Sequence, residues 1–332
     1  MLRLDPETVW QMPQKELVTL IEAGQVPNRS QKIRFYAPSF ISYKTKHYRS
    51  SPNVFPSISI TGSSCALKCQ HCNGKVLDTM IPAPTPDALF DLCKKLKTGG
   101  AVGCIISGGC LPDGSVPIEA FVDSIGRIKH ELGFTVFVHT GVVDFSVAKQ
   151  LKTAGVDAAL IDVIGSNQTI NEVLRLDVTV QDYERSLRAF RDCGLPFVPH
   201  VLVGLHYGEL NGEFEALKMV AKYSPSAVIV IAFMPIHGTP MGNVGPSPPE
   251  DIARTLVSAK LLMPNTPLVL GCMRPKREHR KKTDVLAVKA GVNAIAFPSE
   301  DAVLLAEALK LETVFSPFCC SQIFLDLNSG AV

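Results

Sequence analysis

An excess of charge of either sign is nearly absent from this sequence. Its 33 Lys+Arg against 31 Asp+Glu leave a net charge of +2, which excludes a global basic field for nucleic acid or for a membrane surface. Long hydrophobic runs are missing too, and the longest, such as Ala227 to Pro235, are too short to span a bilayer. The first residues, Met1-Leu2-Arg3-Leu4-Asp5, lack the apolar core of a signal peptide. No low-complexity linker divides the chain. No G-x-G-x-x-G follows the first strand-like run, which removes the usual fingerprint of an open dinucleotide-binding sheet. These absences predict a cytoplasmic protein with one large domain, and 332 residues are enough for a sizeable core.

What is present is apolar and periodic. Hydrophobic residues make up 46% and charged residues 19%, as expected for strands buried on both faces. Strand-like runs occur at Ser57–Thr61, Gly103–Ser107, Thr135–His139, Ala158–Asp162, Val198–Val203, Ala227–Phe233, Leu268–Leu270 and Ala294–Ala296. Amphipathic segments lie between them, several ending at a glycine such as Gly155, Gly194 or Gly291. Strict alternation of strand and helix implies a parallel sheet with right-handed crossovers. Eight such units predict an α/β protein with a closed (β/α)8 TIM-type barrel over residues 51–310, and an open doubly wound sheet is the alternative. Residues 1–50 then form an N-terminal helical extension, with a helix over 13–24. Residues 311–332 form a C-terminal tail over the barrel mouth. The aromatic and basic stretch from Arg34 to Tyr48 could line a substrate entrance or simply pack as a collar.

Ten cysteines in a cytosolic chain point to metal or redox chemistry rather than disulfides. Three of them, Cys65, Cys69 and Cys72, are spaced C-x3-C-x2-C in a loop directly after the apolar run Phe55 to Ile60. Thiolates suit iron–sulfur clusters, and short gaps let one loop wrap around a cubane. Three ligands leave one iron open to a small molecule. A structural zinc loop, with His71 as fourth ligand, and buried reduced thiols are the alternatives. Of the remaining cysteines, Cys93 and Cys193 fall on helices and Cys104 on a strand, where packing is the expected role. No side chain stands out as an acid–base catalyst.

The C-x3-C-x2-C loop, with His71 before its last cysteine, resembles the radical S-adenosylmethionine (SAM) superfamily. The resemblance implies a [4Fe-4S] cluster on Cys65, Cys69 and Cys72, with SAM on the open iron as the source of a 5′-deoxyadenosyl radical. It implies SAM contacts at strand ends, where a TIM-type barrel builds its site. Ser107-Gly108-Gly109 would hold the amino group, Asp162 a ribose hydroxyl, Arg175 the carboxylate and the Gly204 turn the adenine, while His139 would face the ligand. The stretches Gly238-Thr239-Pro240 and Arg274 resemble the biotin synthase-like branch, in which the matching arginine ligates an auxiliary cluster. The cysteines that biotin synthase supplies to that cluster are replaced here by Ile105, Phe137 and Val198. Cys272, Cys319 and Cys320 instead could bind a second iron–sulfur cluster, with Cys110 or Ser321 as fourth ligand.

With the stretches Phe35 to Phe40 and Pro317 to Cys320, the chain is similar to one subunit of the archaeal-type two-protein lipoyl synthases. That resemblance implies sulfur insertion into a protein-bound octanoyl chain. The implied partners are a second radical SAM subunit, an octanoylated carrier protein, and an electron donor such as ferredoxin or flavodoxin. The basic run Lys276, Arg277, Arg280, Lys281 and Lys282 could meet an acidic carrier or partner, or form a solvated helix face. Two rival readings remain: a single-cluster radical SAM enzyme acting as a mutase or cofactor maturase, and a non-catalytic iron–sulfur or zinc scaffold.

Overall fold

The computed structural model describes residues 4–27, 30–38, 43–50 and 53–328; Ser39 and Phe40 of the aromatic stretch lie outside them. Eleven strands form one all-parallel sheet: β1 Lys32–Tyr36, β2 Ser57–Ser59, β3 Ile81–Pro82, β4 Gly103–Ser107, β5 Thr135–His139, β6 Ala158–Val163, β7 Phe197–Val203, β8 Val228–Ala232, β9 Leu268–Leu270, β10 Ala294–Ala296 and β11 Glu312–Ser316. Their order is β11-β1-β10-β9-β8-β7-β6-β5-β4-β2-β3. All eight expected strands are present, their ends moved by two residues at most.

The expected α/β TIM-type fold is present as a curled sheet, and only its closure into a ring of eight is corrected. The curled sheet has two edges, β11 and β3, and no backbone pairing joins them among the described residues. Boundaries at 50 and 310 also cut through the sheet. β1, from the expected extension, pairs in parallel with β10 on one side and with β11, from the expected tail, on the other. Phe35 and Tyr36 of β1 are fully buried, and Phe35 meets Phe315 of β11 at 5.2 Å between ring centroids. The aromatic stretch is thus partly strand, exposed at Lys32 and buried at Ile33, Phe35 and Tyr36.

Local chemistry sets the helix limits. Asp144 caps Phe145–Thr153 through the amide of Val147, and Thr179 with Asp182 forms a capping box for Val180–Cys193, which stops at left-handed Gly194. The expected N-terminal helix is Gln14–Glu22, with a shorter one before it at Pro6–Gln11. Both pack on the buried helix Pro249–Leu262, where Arg254 Nη1 donates to the carbonyls of Val9 (2.9 Å) and Trp10 (2.7 Å). One large apolar layer lies between helices and sheet; Cys93 and Cys104 are buried in it, as expected of packing residues.

A second apolar cluster fills the inside of the curl, and the tail is part of it. Cys319, Cys320, Ile323 and Phe324 pack with Tyr36, Phe55, Phe137, Val198 and Ala294. Tyr36 donates a 2.6 Å hydrogen bond to Asp326, and Phe318 meets Phe55 across the open side of the sheet. The tail therefore enters the barrel rather than lying over its mouth.

Candidate metal centre

The cysteine loop leaves the C-terminal end of β2 and is held by three neighbouring loops. Ala66 N–H donates to Cys110 O (2.9 Å) after β4, and Gln70 N–H to Val173 O (2.7 Å) after β6. Met241 N–H, after β8, donates to Gln70 O (3.1 Å). Lys75 Nζ donates to His237 O (2.8 Å), so the expected Gly238-Thr239-Pro240 element braces this loop. Within it, donor atoms of Cys69, His71 and Cys72 lie within 4.8 Å of one another, while Cys65 stands outside that group. The hydrogen bond from Cys69 holds the Cys72 thiol down at about 4, against the effect of burial, and pushes Cys69 up. His71 Nδ1 is buried without a partner.

Gly108 and Gly109 form a cradle under this loop. Gly109 N–H donates to Thr61 Oγ1 (2.7 Å). A Cβ at Gly109 would stand 2.1 Å from Ser64 O and 2.6 Å from Cys65 Cα, so glycine here is a steric requirement of the loop path. Above the cradle is a cavity of about 290 Å³ lined by Cys65, Cys69, Cys72, Ser107, Gly108, Gly109, His139, Asp162 and apolar side chains from Leu174 to Leu205. The expected contacts Ser107, Gly108, Gly109, His139 and Asp162 thus converge on one space with the three thiols.

Two expected contacts lie elsewhere. Gly204 is not among the lining residues; its N–H donates to Glu213 Oε1 (2.8 Å), and its α-carbon packs on Ser247. Its neighbours Leu202 and Leu205 line the cavity instead. Arg175 is exposed at the rim, in left-handed backbone. With its amide oriented to satisfy both groups, Gln70 accepts from Arg175 Nε at 3.0 Å, so the guanidinium braces the cysteine loop.

Asp162 is held at the cavity floor by charge. Desolvation by the surrounding barrel would raise its carboxyl, but His139, with help from His200, more than offsets this and holds it at about 2. His139 Nε2 is 3.5 Å and His200 Nδ1 3.9 Å from Asp162 Oδ1. Burial, outweighing Asp162, keeps His200 down at about 4. His200 received no role in the sequence reading. Its signal was the alternation with Val198, which puts both on one face of β7.

Cys272, Cys319 and Cys320 lie on the inside of the curl, but their sulfurs are not all within 4.8 Å of one another. Burial raises Cys272 to about 11, with Cys319 adding to the effect, and the Cys320 thiol donates to Cys319, lowering it. Ser321 Oγ, beside them in sequence, is buried without a partner. Cys110 is not part of this group: after burial, its largest influence is Cys65, and it lines the first cavity. Cys110, one of the two expected fourth ligands, thus stands at the first cavity and away from Cys272, Cys319 and Cys320. Arg274 is also fully committed. It pairs with Asp284 through Nε (2.7 Å) and Nη2 (3.0 Å), and donates to the carbonyls of Gly271, Ala296 and Phe297. With side chains of zero exposure on both partners, it is a strut rather than a ligand.

A curled parallel sheet whose strand ends converge on three loop thiols, a glycine cradle and an anionic floor defines an enzyme that holds a cluster beside a small polar ligand. The donor set fits a [4Fe-4S] cluster: three thiolates, an orphaned His71 beside them and room left open above. Residues 59–218 match the Radical SAM superfamily, and residues 230–318 match the Biotin and Thiamin Synthesis associated domain. Curated biotin synthases are similar at low identity: 24% over 249 residues for Prochlorococcus marinus and 26% over 249 residues for Zymomonas mobilis, in each case about 72% of both chains. Among solved structures, methylornithine synthase has a TM-score of 0.61 at 16% identity over 93% of each chain. The FeFe-hydrogenase maturase HydG from Carboxydothermus hydrogenoformans has a TM-score of 0.65 at 14% identity, covering 98% of this chain and 79% of that one. The chain is a radical SAM enzyme of the biotin synthase-like branch, and its cofactors are a [4Fe-4S] cluster and SAM. Among the described residues, no helix is long and apolar enough to cross a membrane.

Proposed function

We propose that the chain is a sulfur-inserting subunit of a lipoyl synthase of the archaeal two-protein type, acting on an octanoyl chain attached to a carrier protein. The observation that carries this reading is the gathering of free thiols inside the curl, Cys272, Cys319 and Cys320, with Ser321 beside them. The apolar layer Ile105, Phe137 and Val198 removes the positions from which biotin synthase ligates its auxiliary cluster. The tail supplies thiols at another place in the same interior.

The bound first cluster with SAM supplies a 5′-deoxyadenosyl radical for hydrogen abstraction, and a second cluster would supply sulfide. This chain's residues do the rest. Gly108 and Gly109 bring backbone close to the ligand, and Asp162 offers an oxygen to a ribose hydroxyl. Leu174, Leu176, Leu202 and Leu205 give the cavity an apolar wall that suits an alkyl chain and excludes water. Outside, Lys276, Arg277, Lys281 and Lys282 are exposed, while Arg280 turns inward to Arg274 O. That basic edge suits an acidic carrier or the second radical SAM subunit, and ferredoxin or flavodoxin would deliver the electron.

The test is iron and sulfide content with Mössbauer spectra of anaerobically reconstituted protein. Two clusters predict about eight irons per chain, falling to about four in Cys272→Ala/Cys319→Ala/Cys320→Ala. Lipoyl formation on an octanoyl carrier, with the partner subunit present, then reads the reaction itself. About four irons in the wild type would sink the sulfur-insertion reading and leave a single-cluster radical enzyme.

A further inference from the structure

The inner face of the sheet carries two successive layers. Phe137, Leu160 and Val198 form an apolar one. Two residues further along the same strands, and so on the same face, stand His139, Asp162 and His200. The parallel register sets Asp162 against His200 and His139 against Leu160. A ring nitrogen from each histidine and a carboxylate oxygen of Asp162 lie within 4.8 Å of one another. The two rings stack at 5.6 Å between centroids and make no hydrogen bond to each other. His200 Nδ1 is buried without a hydrogen-bond partner. Two imidazoles sharing one carboxylate, with a buried lone nitrogen aimed at the same point, make a donor set without a purpose in packing.

We propose that His139, Asp162 and His200 bind a divalent first-row transition-metal ion, of the zinc or iron(II) class, at the centre of the barrel. The chemistry fits: imidazole and carboxylate together are the usual hard-to-borderline donors for such ions, and three of them leave a position open. Oxygen-to-nitrogen separations of 3.5 and 3.9 Å need only a small closure to surround an ion with bonds of about 2.0–2.2 Å. Cys319 lies near enough for its charge to act on His139, so the ion would sit between the tail thiols and the cavity of the first cluster. Coordination through one oxygen of Asp162 leaves the other for a ribose hydroxyl. The site does not depend on sulfur insertion or on a second cluster.

The test uses the anaerobic full-length holoprotein, equilibrated with zinc chloride and freed of loose metal by gel filtration. The proposal expects about one tightly held zinc per chain, with imidazole backscattering in its X-ray absorption spectrum. The zinc should be lost in His200→Leu and in His139→Phe while cluster iron and circular dichroism stay unchanged. Should His200→Leu fold poorly, His200→Gln gives the same readout. No bound zinc, zinc retained in a folded His200 variant, or a spectrum with sulfur neighbours only would each overturn it.

Discussion

The glycine cradle makes a quantitative demand on the enzyme. In Gly109→Ala, the new methyl would meet Ser64 O at 2.1 Å and Cys65 at 2.6 and 2.7 Å, where real contacts essentially never fall below 3.0 Å. The obstacle is backbone, so no rotamer relieves it, and the loop must move by about 1 Å at the first cluster ligand. Misplacement of that size costs about 100-fold in rate when reacting groups must be held in register. Gly108→Ala is the internal control, because its methyl would meet Thr61 and Ile60 at 3.0–3.2 Å, within the give of side chains. Reconstituted Gly109→Ala should therefore lose iron and cleave SAM about 100-fold more slowly, with Gly108→Ala within a few-fold of wild type. The assay is 5′-deoxyadenosine formation with dithionite, beside iron per chain. Full iron and unchanged cleavage in Gly109→Ala would refute the steric argument, and equal losses in both variants would show that the glycines act by flexibility alone.

Arg274→Met should cost about 3–5 kcal/mol in urea unfolding, because it strands the Asp284 carboxylate in a site without water; folded protein that merely lost cluster iron would instead show a ligand. Tyr36→Phe removes the buried hydrogen bond to Asp326 and should cost about 1–3 kcal/mol, read as faster hydrogen exchange over residues 317–328. Glu213 gives a pH signature, since burial raises its carboxyl to about 7 despite the amides of Gly204 and Asn211. The unfolded chain releases that proton near pH 4.3, so stability falls as pH rises from about 4.3 to about 7, by up to about 4 kcal/mol. Wild type minus Glu213→Gln, measured by urea unfolding at both ends of that window, should show this slope; a flat difference would refute it.

The first centre was legible in the sequence because its ligands are neighbours in the chain. Cys65, Cys69 and Cys72 need only a loop, and Ser107-Gly108-Gly109, His139 and Asp162 sit at strand ends that periodicity locates. What stayed hidden depended on which strands pair. β1 and β11 are five residues each and pair with partners from the opposite end of the chain, outside the strand–helix alternation that located the other strands. Arg274 illustrates a second limit, since matching position by position could not show that every guanidinium hydrogen is spoken for by Asp284 and three carbonyls. His200 shows a third: a histidine among valines reads as core until Asp162 is known to stand beside it.

The threading of the tail into the barrel also sets an order of manufacture. β1, near the start of the chain, finds its β11 partner only after Glu312–Ser316 has been made, and Tyr36 waits for Asp326. The thiols at Cys319 and Cys320 leave the ribosome after all eleven strands, whereas every loop that grips the first cysteine group has emerged by Met241. A nascent chain can therefore shape its first metal pocket long before its interior is closed. Truncation before Glu312 would keep every loop that shapes the first metal pocket, leave β1 with a bare edge, and expose the apolar lining that residues 318–324 cover.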